Sequence, residues 1–378
     1  MGNLMDGKIV FWLVFLPITW LNCSLVAAQS VVPTDSGKPK KPDGRFLRWD
    51  KNKDNRLTRD ELPSAIRGNF DRVDTDQSGW ISLDEHFKFL NRTPGGSAGS
   101  LASIKKFKNL AYVNQGHERH RLDLYLPQSQ VSSTKLPLII WVHGGGWKNG
   151  SKDGFAHLNP LLERGLAVAS INYRLSHHAT FPAQIHDCKA AVRFLRKNAQ
   201  RFGLNPEKFG VWGSSAGGHL VSLLGTSGEV SELEGDLGTV GVSSRVQAVC
   251  DWFGPTDFLK MNEQAGATGK INHDAPGSPE SLLVGAPIQD EPKKTRKLNP
   301  IEYVTADDPT FLIMHGDQDR LVPFQQSQML NDALKAVGVS TTLVLVQGAG
   351  HGLKSQRDRD QAIDFFTNQF QKPNKKKK

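Results

Sequence analysis

The stretch VWGSSAGGHL, residues 211–220, decides the fold that this sequence predicts. Its centre matches the motif G-x-S-x-G when Ser215 is the middle serine and Gly213 and Gly217 flank it. The motif is typical of a sharp turn between a buried strand and a helix, with the serine oxygen raised above a sheet. The residues FGVW before the turn and the apolar run after it have the character of that strand and that helix. A serine hydroxyl is a weak nucleophile at neutral pH, so the turn needs a base and an orienting acid elsewhere in the chain.

Two later segments supply an acid and a base in the chain order that this motif requires. The segment LIMHGDQDRLVP places Asp317 and Asp319 directly after an apolar strand, and LVQGAGHG places His351 on a glycine-rich loop after the last one. We expect Asp319, which precedes RLVP, to orient the histidine, and Asp317 to form a turn. The histidine can then accept the serine proton and return it later. The other histidines, His219 and His315 among them, are expected to be structural.

The segment HGGGW, residues 143–147, also follows a strand. Backbone N–H groups of such a glycine-rich loop can stabilise a developing oxyanion. We expect the donors to be the N–H groups of Gly145, Gly146 and Ala216. His143 is expected to shape this loop by hydrogen bonding rather than to act as a base.

From about residue 104, short apolar runs alternate with longer helical patterns. Runs such as LPLIIWV and GLAVASI are continuously apolar, as in parallel strands buried on both faces. The segment HDCKAAVRFLRKNAQRFG has helical periodicity and ends at Gly203. The alternation predicts an α/β fold, a mostly parallel sheet with helices on both faces. Residues 258–300 are irregular and are expected to form an insertion near the site.

Two twelve-residue stretches nearer the N-terminus, DKNKDNRLTRDE and DTDQSGWISLDE, match the EF-hand calcium loop. Each has oxygen-bearing side chains at positions 1, 3 and 5, an apolar residue at position 8 and glutamate at position 12. The expected ligands of the first loop are Asp50, Asn52, Asp54, Arg56 through its carbonyl, Thr58 and Glu61. Those of the second loop are Asp74, Asp76, Ser78, Trp80 through its carbonyl, Ser82 through water, and Glu85.

The first of these loops has Asn55 where the second has Gly79, at a position that favours glycine. Asparagine tolerates a left-handed backbone better than most residues, so the first site is weakened but kept. We expect a small all-α EF-hand pair that binds Ca²⁺ and is stabilised by it. The alternative is a structural pair that has lost its metal.

The segments around these two regions have the composition of targeting, linker and tail sequences. Residues 1–28, with Lys8 before an apolar run and VAA at the end, predict a signal peptide, and an uncleaved anchor is the alternative. The protein is therefore expected to be secreted or to lie in the periplasm or cell envelope. The predicted organisation is a signal peptide at 1–28, a linker at 29–43, the EF-hand pair at 44–92, a linker at 93–103, the α/β domain at 104–371 and a basic tail at 372–378.

The charge of the chain bears on its binding partners, and its cysteines bear on disulfide formation. The formal net charge is +9, but four of the lysines form the terminal KKKK, and no basic stripe indicates a nucleic-acid partner. Two cysteines, Cys188 and Cys250, lie beyond the predicted signal peptide. Export would permit a disulfide between them, although two buried free thiols are the simpler expectation.

Residues 104–371 resemble the α/β-hydrolase serine esterases on the strength of HGGGW, NYRLS, VWGSSAGGHL, DWFGPTDF and HGDQDRLVP. The nearest resemblance is to secreted bacterial acetyl-xylan and feruloyl esterases, a group that grades into the hormone-sensitive-lipase-like enzymes. It implies a serine carboxylesterase with Ser215, Asp319 and His351 in the catalytic positions and no cofactor for catalysis. It also implies that Trp212 helps to shape the substrate pocket, with simple packing as the alternative; we expect Trp147 to contact substrate as well.

The implied substrate is a short acyl or aromatic ester on a carbohydrate or small molecule. HGDQDRLVP also resembles the prolyl-oligopeptidase group, but those peptidases usually carry a β-propeller ahead of the hydrolase domain. Here EF-hand loops and linkers occupy that position. A second alternative is a calcium-dependent surface-binding protein with an inert hydrolase domain, against which the intact set of serine, acid and histidine argues.

Overall fold

The computed structural model describes residues 44–74, 78–90, 104–127, 135–155 and 158–371. The chain divides into two compact units, Met1–Ala98 and Gly99–Lys378. The predicted signal peptide, both predicted linkers and the basic tail lie outside the described residues. Within the described ranges, no helix combines the length and apolarity needed to cross a membrane.

The first unit consists of short helices around two very short strands. Its elements are α1 (Gly44–Trp49), β1 (Arg56–Leu57), a 3₁₀ helix (Ser64–Asn69), α2 (Phe70–Val73), β2 (Ile81–Ser82) and α3 (Leu83–Leu90). β1 and β2 pair antiparallel, with Leu57 opposite Ile81. Both side chains are buried with Phe46 and Phe70 in one apolar cluster, so the pairing of the two loops builds the core of this unit.

The second unit is built on an eight-stranded sheet. Its strands are β3 (Lys105–Ala111), β4 (Arg121–Leu126), β5 (Leu136–Val142), β6 (Ala167–Ile171), β7 (Leu204–Ser214), β8 (Ala248–Trp252), β9 (Thr310–Gly316) and β10 (Thr341–Val346). They lie in the order β10-β9-β8-β7-β5-β6-β4-β3. β4 runs antiparallel to both of its neighbours, and the other pairs are parallel. This is the mostly parallel sheet of an α/β-hydrolase, as the sequence predicts.

Helices occupy both faces of the sheet. They are α4 (Leu158–Glu163), α5 (Ala183–Lys197), α6 (Ala199–Phe202), α7 (Ala216–Thr226), α8 (Ser231–Glu234), α9 (Met261–Ala265), α10 (Pro279–Val284), α11 (Pro292–Arg296), α12 (Phe324–Ala336) and α13 (Gln356–Gln371). Short 3₁₀ turns lie at Lys152–Gly154, Phe258–Lys260, Gly266–Thr268 and Pro300–Tyr303. One apolar cluster joins α5, α7 and α12 to one face of the sheet, and another joins α4 and α13 to the other face.

The side chains of β5 show how the two apolar clusters form. Leu138 and Ile140 belong to one cluster. The residues that follow each of them, Ile139 and Trp141, belong to the other. Successive side chains of a strand point to opposite faces, so a continuously apolar strand is what a sheet covered on both sides requires. Each such side chain contributes about 1.5–3 kcal/mol when it is fully buried.

The two described cysteines are buried free thiols. Cys188 lies in the cluster on one face of the sheet and Cys250 in the cluster on the other, which explains why they do not pair. Burial raises the pKa of both thiols well above the usual value.

Parallel strands bring their carboxyl ends to one edge of the sheet, where α/β proteins place their sites. At this edge the loops after β5, β7, β8, β9 and β10 come together. Those loops carry HGGGW, Ser215, Phe253, Asp319 and His351.

Candidate active site

Ser215 lies at a strained turn between β7 and α7. Its backbone has φ 56° and ψ −122°, in the left-handed half of the map where residues other than glycine are uncommon. The N–H of Ser215 donates to the carbonyl of Trp252 at 2.8 Å, which fixes the turn to the neighbouring strand β8. The two flanking glycines are required by space, because a Cβ at Gly213 would overlap the Gly217 carbonyl and one at Gly217 would overlap the Val142 carbonyl.

The structure brings Ser215, His351 and Asp319 into one hydrogen-bonded chain. The Ser215 Oγ lies 2.9 Å from Nε2 of His351, and Nδ1 of the same ring lies 2.7 Å from Oδ2 of Asp319. When the ring donates its Nδ1–H to the carboxylate, Nε2 is left to accept the serine proton. The arrangement can therefore activate a serine nucleophile.

The side chain of Asp319 is completely buried, and both of its oxygens have hydrogen-bond partners. Oδ1 accepts from the backbone N–H groups of Leu321 at 2.8 Å and Val322 at 3.0 Å, while Oδ2 also lies 3.2 Å from Nε2 of His315. Burial on its own would raise the pKa of the Asp319 carboxyl. The hydrogen bonds from His315, His351 and the Val322 backbone outweigh burial and hold that pKa well below its usual range.

The competing acid Asp317 serves another purpose. Its Oδ1 accepts from the backbone N–H of Gly348 at 2.7 Å, so it ties the loop after β9 to the loop after β10. The geometry thus places Asp319 against His351 and leaves Asp317 as a turn residue.

The HGGGW loop is held in a conformation that glycine permits. Gly145 has φ 111° and Gly146 has φ 59°. Both residues line the same cavity as Ser215 and His351. Ala216 is the first residue of α7, an eleven-residue helix, so its N–H is among those that an α-helix leaves without an intrahelical acceptor. The three predicted oxyanion donors therefore lie in the loop and the helix N-terminus beside the serine.

His143 stabilises the HGGGW loop through hydrogen bonds and ring stacking. Its Nδ1–H donates to the Gly144 carbonyl at 2.8 Å, and its Nε2 accepts from Arg119 at 3.2 Å. The Tyr173 ring stacks on it with 4.3 Å between centroids, and the Tyr173 hydroxyl donates to the His143 carbonyl at 2.9 Å. Burial lowers the pKa of His143 to about 4, so the ring is neutral near pH 7.

Trp147 lines the cavity although only 2% of it is exposed. Its indole N–H donates to Nδ1 of His219 at 3.2 Å, and Nε2–H of His219 donates to the Leu298 carbonyl at 2.7 Å. Burial lowers the pKa of His219 to about 4. His219 therefore connects the glycine loop to the insertion before β9.

For Trp212 the structure favours simple packing, the alternative to a role in the substrate pocket. This side chain is fully buried in the apolar cluster that includes Trp141, Trp252 and Phe366, and it does not line the cavity. The physical reason is strand alternation, because Trp212 points away from the face that carries α7.

The cavity beside Ser215 has a volume of about 510 Å³. The insertion between β8 and β9 contributes Ile271, His273, Pro279 and Glu280 to its wall. Phe253 lines it too, with its ring centroid 4.7 Å from that of His351. None of these five residues was predicted from the sequence. The four in the insertion lie in a segment without periodicity or a motif, and DWFGPTDF, which contains Phe253, indicates the family but no role for that residue.

In the first predicted calcium loop, the acidic side chains already bind backbone N–H groups of the loop. Asp50 accepts from the N–H groups of Asp54 at 3.2 Å and Asn55 at 3.0 Å, and Glu61 accepts from that of Thr58 at 2.8 Å. Asp54 accepts from the N–H of Arg56 at 2.8 Å. The side chain of Asn52 donates to Asp54 at 3.0 Å. Asn55 has φ 61°, the left-handed backbone expected at this position.

The second predicted loop repeats this pattern. Asp74 accepts from the N–H groups of Ser78 at 3.0 Å and Gly79 at 2.9 Å, and Glu85 accepts from the N–H of Ser82 at 3.0 Å. Gly79 has φ 86°, and the Ser78 hydroxyl donates to the Trp80 carbonyl at 3.0 Å. Asp76 lies outside the described residues.

The described residues include one further group of side chains that could bind a metal, His117, Glu118 and His178. Their candidate ligand atoms lie within 4.8 Å of one another. Nδ1 of His117 accepts from the N–H of Arg119, and Nδ1 of His178 accepts from that of Leu175. These bonds leave the neutral ring protons on Nε2, which does not favour a metal there.

Comparison with known proteins agrees with this geometry. Residues 122–334 match the model of the BD-FAE family. A solved structure described as a truncated form of a carbohydrate esterase from gut microbiota is 36% identical, with a TM-score of 0.65, covering 72% of this chain and 99% of that chain. A bifunctional GH43-CE protein of Bacteroides eggerthii is 35% identical, also with a TM-score of 0.65, covering 70% of this chain and 38% of that chain.

Among curated proteins, Esterase LipC of Mycobacterium tuberculosis is 33% identical over 230 residues, which is 60% of this chain and 55% of that protein. The probable carboxylic ester hydrolase LipM of the same organism is 29% identical over 255 residues, 64% of this chain and 57% of that protein. This chain thus spans a little over half the length of these relatives. Because the family match covers more than half of the chain, the chain belongs to the BD-FAE family, and its α/β domain is a carboxylic ester hydrolase domain.

Proposed function

We propose that this protein is a serine carboxylesterase that hydrolyses short acyl or aromatic esters carried on a carbohydrate. The single observation that carries the proposal is the hydrogen-bonded chain from Ser215 through His351 to Asp319, which opens on a cavity of about 510 Å³. A cavity of this size accommodates a small acyl group together with part of its alcohol.

In the proposed mechanism the Ser215 oxygen attacks the ester carbonyl while Nε2 of His351 takes the hydroxyl proton. The buried carboxylate of Asp319 stabilises the imidazolium that forms and keeps the ring oriented. The N–H groups of Gly145, Gly146 and Ala216 donate to the oxygen that gains negative charge in the tetrahedral intermediate. Each such donor is worth about 10²- to 10³-fold in rate in a well-studied protease.

The intermediate collapses as His351 returns the proton to the departing alcohol, which leaves an acyl group on Ser215. A water molecule then attacks the acyl carbonyl, with His351 again taking the proton, and the acid departs as the serine is restored. These steps use the chain's own residues and no redox or nucleotide cofactor.

A carbohydrate ester as substrate is supported by the solved relatives. Of two proteins about one-third identical to this chain, one is described as a carbohydrate esterase and the other as a bifunctional GH43-CE protein. A third, from Caldicellulosiruptor lactoaceticus, is described as an acetyl ester-xyloside bifunctional hydrolase and is 25% identical. The curated relatives with general esterase names leave the acyl group open.

The experiment measures turnover of p-nitrophenyl acetate, p-nitrophenyl octanoate, acetylated xylan and methyl ferulate by the purified chain. We expect hydrolysis of a short or aromatic ester, with octanoate the poorer of the two p-nitrophenyl esters. No turnover of any of the four by folded protein would overturn the proposal.

We further propose that residues 44–92 are an EF-hand pair that binds Ca²⁺ and is stabilised by it. The paired loops, the acidic first and twelfth positions and the left-handed backbone at Asn55 and Gly79 support this. The side chains that would hold the ions, together with the Arg56 and Trp80 carbonyls, are those of Asp50, Asn52, Asp54, Glu61, Asp74, Asp76, Ser78 and Glu85. Calcium would neutralise the acidic groups of each loop and fix its turn, and no step of the proposed hydrolysis uses it.

Calorimetric titration of the chelator-treated chain with calcium chloride tests this. We expect binding accompanied by a rise in the melting temperature of this unit, and loss of one site in Glu85→Gln. Asp60→Asn, an exposed acid beside Glu61 at a non-ligand position, is the matched control and should bind as the parent does. Neither heat nor a melting shift in the parent would contradict calcium binding.

Export is a third proposal, supported by the apolar run and small residues of segment 1–28. Expression in a bacterium followed by N-terminal sequencing should find a mature chain that begins near Gln29 in the exported fraction. A chain that retains residues 1–28 in the cytoplasm would contradict it.

A further inference from the structure

One wall of the cavity beside Ser215 carries two polar side chains that the proposed mechanism does not use. His273 and Glu280 both line this cavity, yet they are only 1% and 3% exposed. Nδ1 of His273 lies 3.1 Å from Oε1 of Glu280. An apolar acyl group would need neither of them.

The hydrogen-bonding capacity of this pair is unfilled. Within the described part of the chain, Oε2 of Glu280 and Nε2 of His273 have no hydrogen-bond partner, and the close approach of Nδ1 to Oε1 is outside hydrogen-bond geometry. Buried polar groups are normally paired, and leaving them unpaired is costly. An orphaned carboxylate oxygen and an orphaned ring nitrogen on a cavity wall therefore indicate a ligand that supplies hydrogen bonds.

Helix capping does not account for Glu280. The α10 N-terminus is already capped by Ser278, whose Oγ accepts from the N–H of Ser281 at 3.0 Å. Pro279 is the first residue of that helix and lies against the HGGGW loop. A Cβ added at Gly146 would be 3.3 Å from the Cβ of Pro279. Glu280 thus follows directly on a residue that borders the predicted oxyanion donors.

We propose that His273 and Glu280 form a subsite for a pair of neighbouring hydroxyl groups on the alcohol part of the ester, as in a sugar ring. This inference rests on the proposed esterase function and deepens it. One hydroxyl donates to Oε2 of Glu280. The second pairs with Nε2 of His273, donating to it when the ring proton is on Nδ1 and accepting from it when Nε2 carries a proton.

The chemistry of the pair favours a diol over a cation. A cationic ligand would satisfy the Glu280 carboxylate but could not accept a hydrogen bond from Nε2–H of His273, and Lys148, which also lines the cavity, would repel it. A hydroxyl is both donor and acceptor, so two adjacent hydroxyls fit both orphaned atoms whichever ring nitrogen of His273 carries the proton. A site built to bind hydroxyls discriminates strongly against analogues that lack them.

The test compares two acetate esters on the full chain, a mono-acetylated methyl xyloside with a free vicinal diol and p-nitrophenyl acetate without one. We expect Glu280→Gln and Glu280→Leu to lower kcat/KM for the xyloside by about 10- to 100-fold, mainly through KM. The loss on p-nitrophenyl acetate should be at least about tenfold smaller than the loss on the xyloside, since that alcohol has no hydroxyl for the subsite. Glu291→Gln, an exposed glutamate away from the cavity, is the matched control and should change neither ester.

A binding measurement separates failure of the subsite from failure of the esterase proposal. Titration of Ser215→Ala with methyl β-xyloside should show binding that weakens by a similar factor in Ser215→Ala/Glu280→Gln, whether or not the parent turns over any ester. Equal losses on both esters in folded Glu280 variants, or xyloside binding that is absent or indifferent to Glu280, would overturn the subsite. Turnover of p-nitrophenyl acetate in that case would leave the esterase proposal standing.

Discussion

Nε2 of His315 lies 3.2 Å from Oδ2 of Asp319, the same carboxylate oxygen that Nδ1 of His351 contacts at 2.7 Å. His315 is itself held by Ser327, whose Oγ lies 2.7 Å from its Nδ1, and by the Val322 carbonyl, to which its Nε2–H donates at 2.9 Å. The acid of the proposed triad is therefore fixed by a second, fully buried histidine as well as by two backbone N–H groups. Substituting this acid should be informative for both activity and stability.

Asp319→Asn should lower kcat by about 10⁴-fold, because an amide favours the wrong tautomer of His351 and cannot stabilise its charged form. The measurement is steady-state hydrolysis of the best ester found for the parent. Asp317→Asn is the matched control, since Asp317 binds Gly348 rather than His351, and it should stay within about threefold of the parent. Equal losses in the two variants would contradict the assignment of the acid.

The cost of Asp319→Asn in stability should depend on pH. Burial opposes ionisation of Asp319, but its hydrogen bonds with His315 and His351 prevail and hold its pKa below that of the unfolded chain. Such a group contributes stability that is present above about pH 4 and is lost as pH falls through the folded-state pKa. Urea unfolding should therefore show a larger destabilisation at pH 7 than at pH 3. An identical destabilisation at both pH values would contradict the lowered pKa.

Asp251 should show the opposite dependence. Its complete burial raises its pKa to about 6, although the Gly254 N–H and the Ser222 hydroxyl donate to its oxygens and the charge of His315 also favours ionisation. A carboxyl with a raised pKa contributes stability that is present below about pH 4 and is lost as pH rises through about 6. Relative to the parent, Asp251→Asn should gain about 3 kcal/mol in unfolding free energy as the pH rises from about 4 to about 6, and little more above that. The denaturation midpoint in urea measures this, and a difference from the parent that does not change with pH would refute it.

Gly217→Ala should destabilise the protein by several kcal/mol, because the new Cβ would overlap the Val142 carbonyl and neither backbone can yield cheaply. Thermal unfolding followed by circular dichroism provides the readout. Gly277→Ala is a suitable control, since an added Cβ there meets no atom within 4 Å and its backbone is not left-handed. A stable Gly217→Ala variant with full activity would mean that the close approach of the turn to β5 is not required.

The fold and the Ser215 turn could be predicted because both depend on local sequence. The strand, the glycines and the helix of VWGSSAGGHL are contiguous in the sequence. The alternation of strands and helices is indicated by continuous apolar runs separated by helical patterns. The first strand of the sheet has a much weaker signal. β3 runs from Lys105 to Ala111, and an edge strand with exposed lysines has little apolar pattern to reveal it.

The rest of the site depends on long-range packing that no local pattern encodes. His273 and Glu280 reach the cavity through an insertion of short helices, and no spacing in the sequence marks them. Trp212 shows the converse case. It lies near Ser215 in the chain, but strand alternation places its side chain in the core, so closeness in sequence does not show which side chains reach the cavity.

The most direct test of the central claim is the mass of peptides from the purified chain after treatment with a fluorophosphonate, read beside the turnover of Ser215→Ala. A nucleophilic Ser215 predicts one phosphonyl adduct, on the peptide that contains residues 211–220, and a loss of kcat on the order of 10⁶-fold in Ser215→Ala. An unlabelled Ser215 in folded protein, or a Ser215→Ala variant that hydrolyses ester at the parent rate, would contradict it.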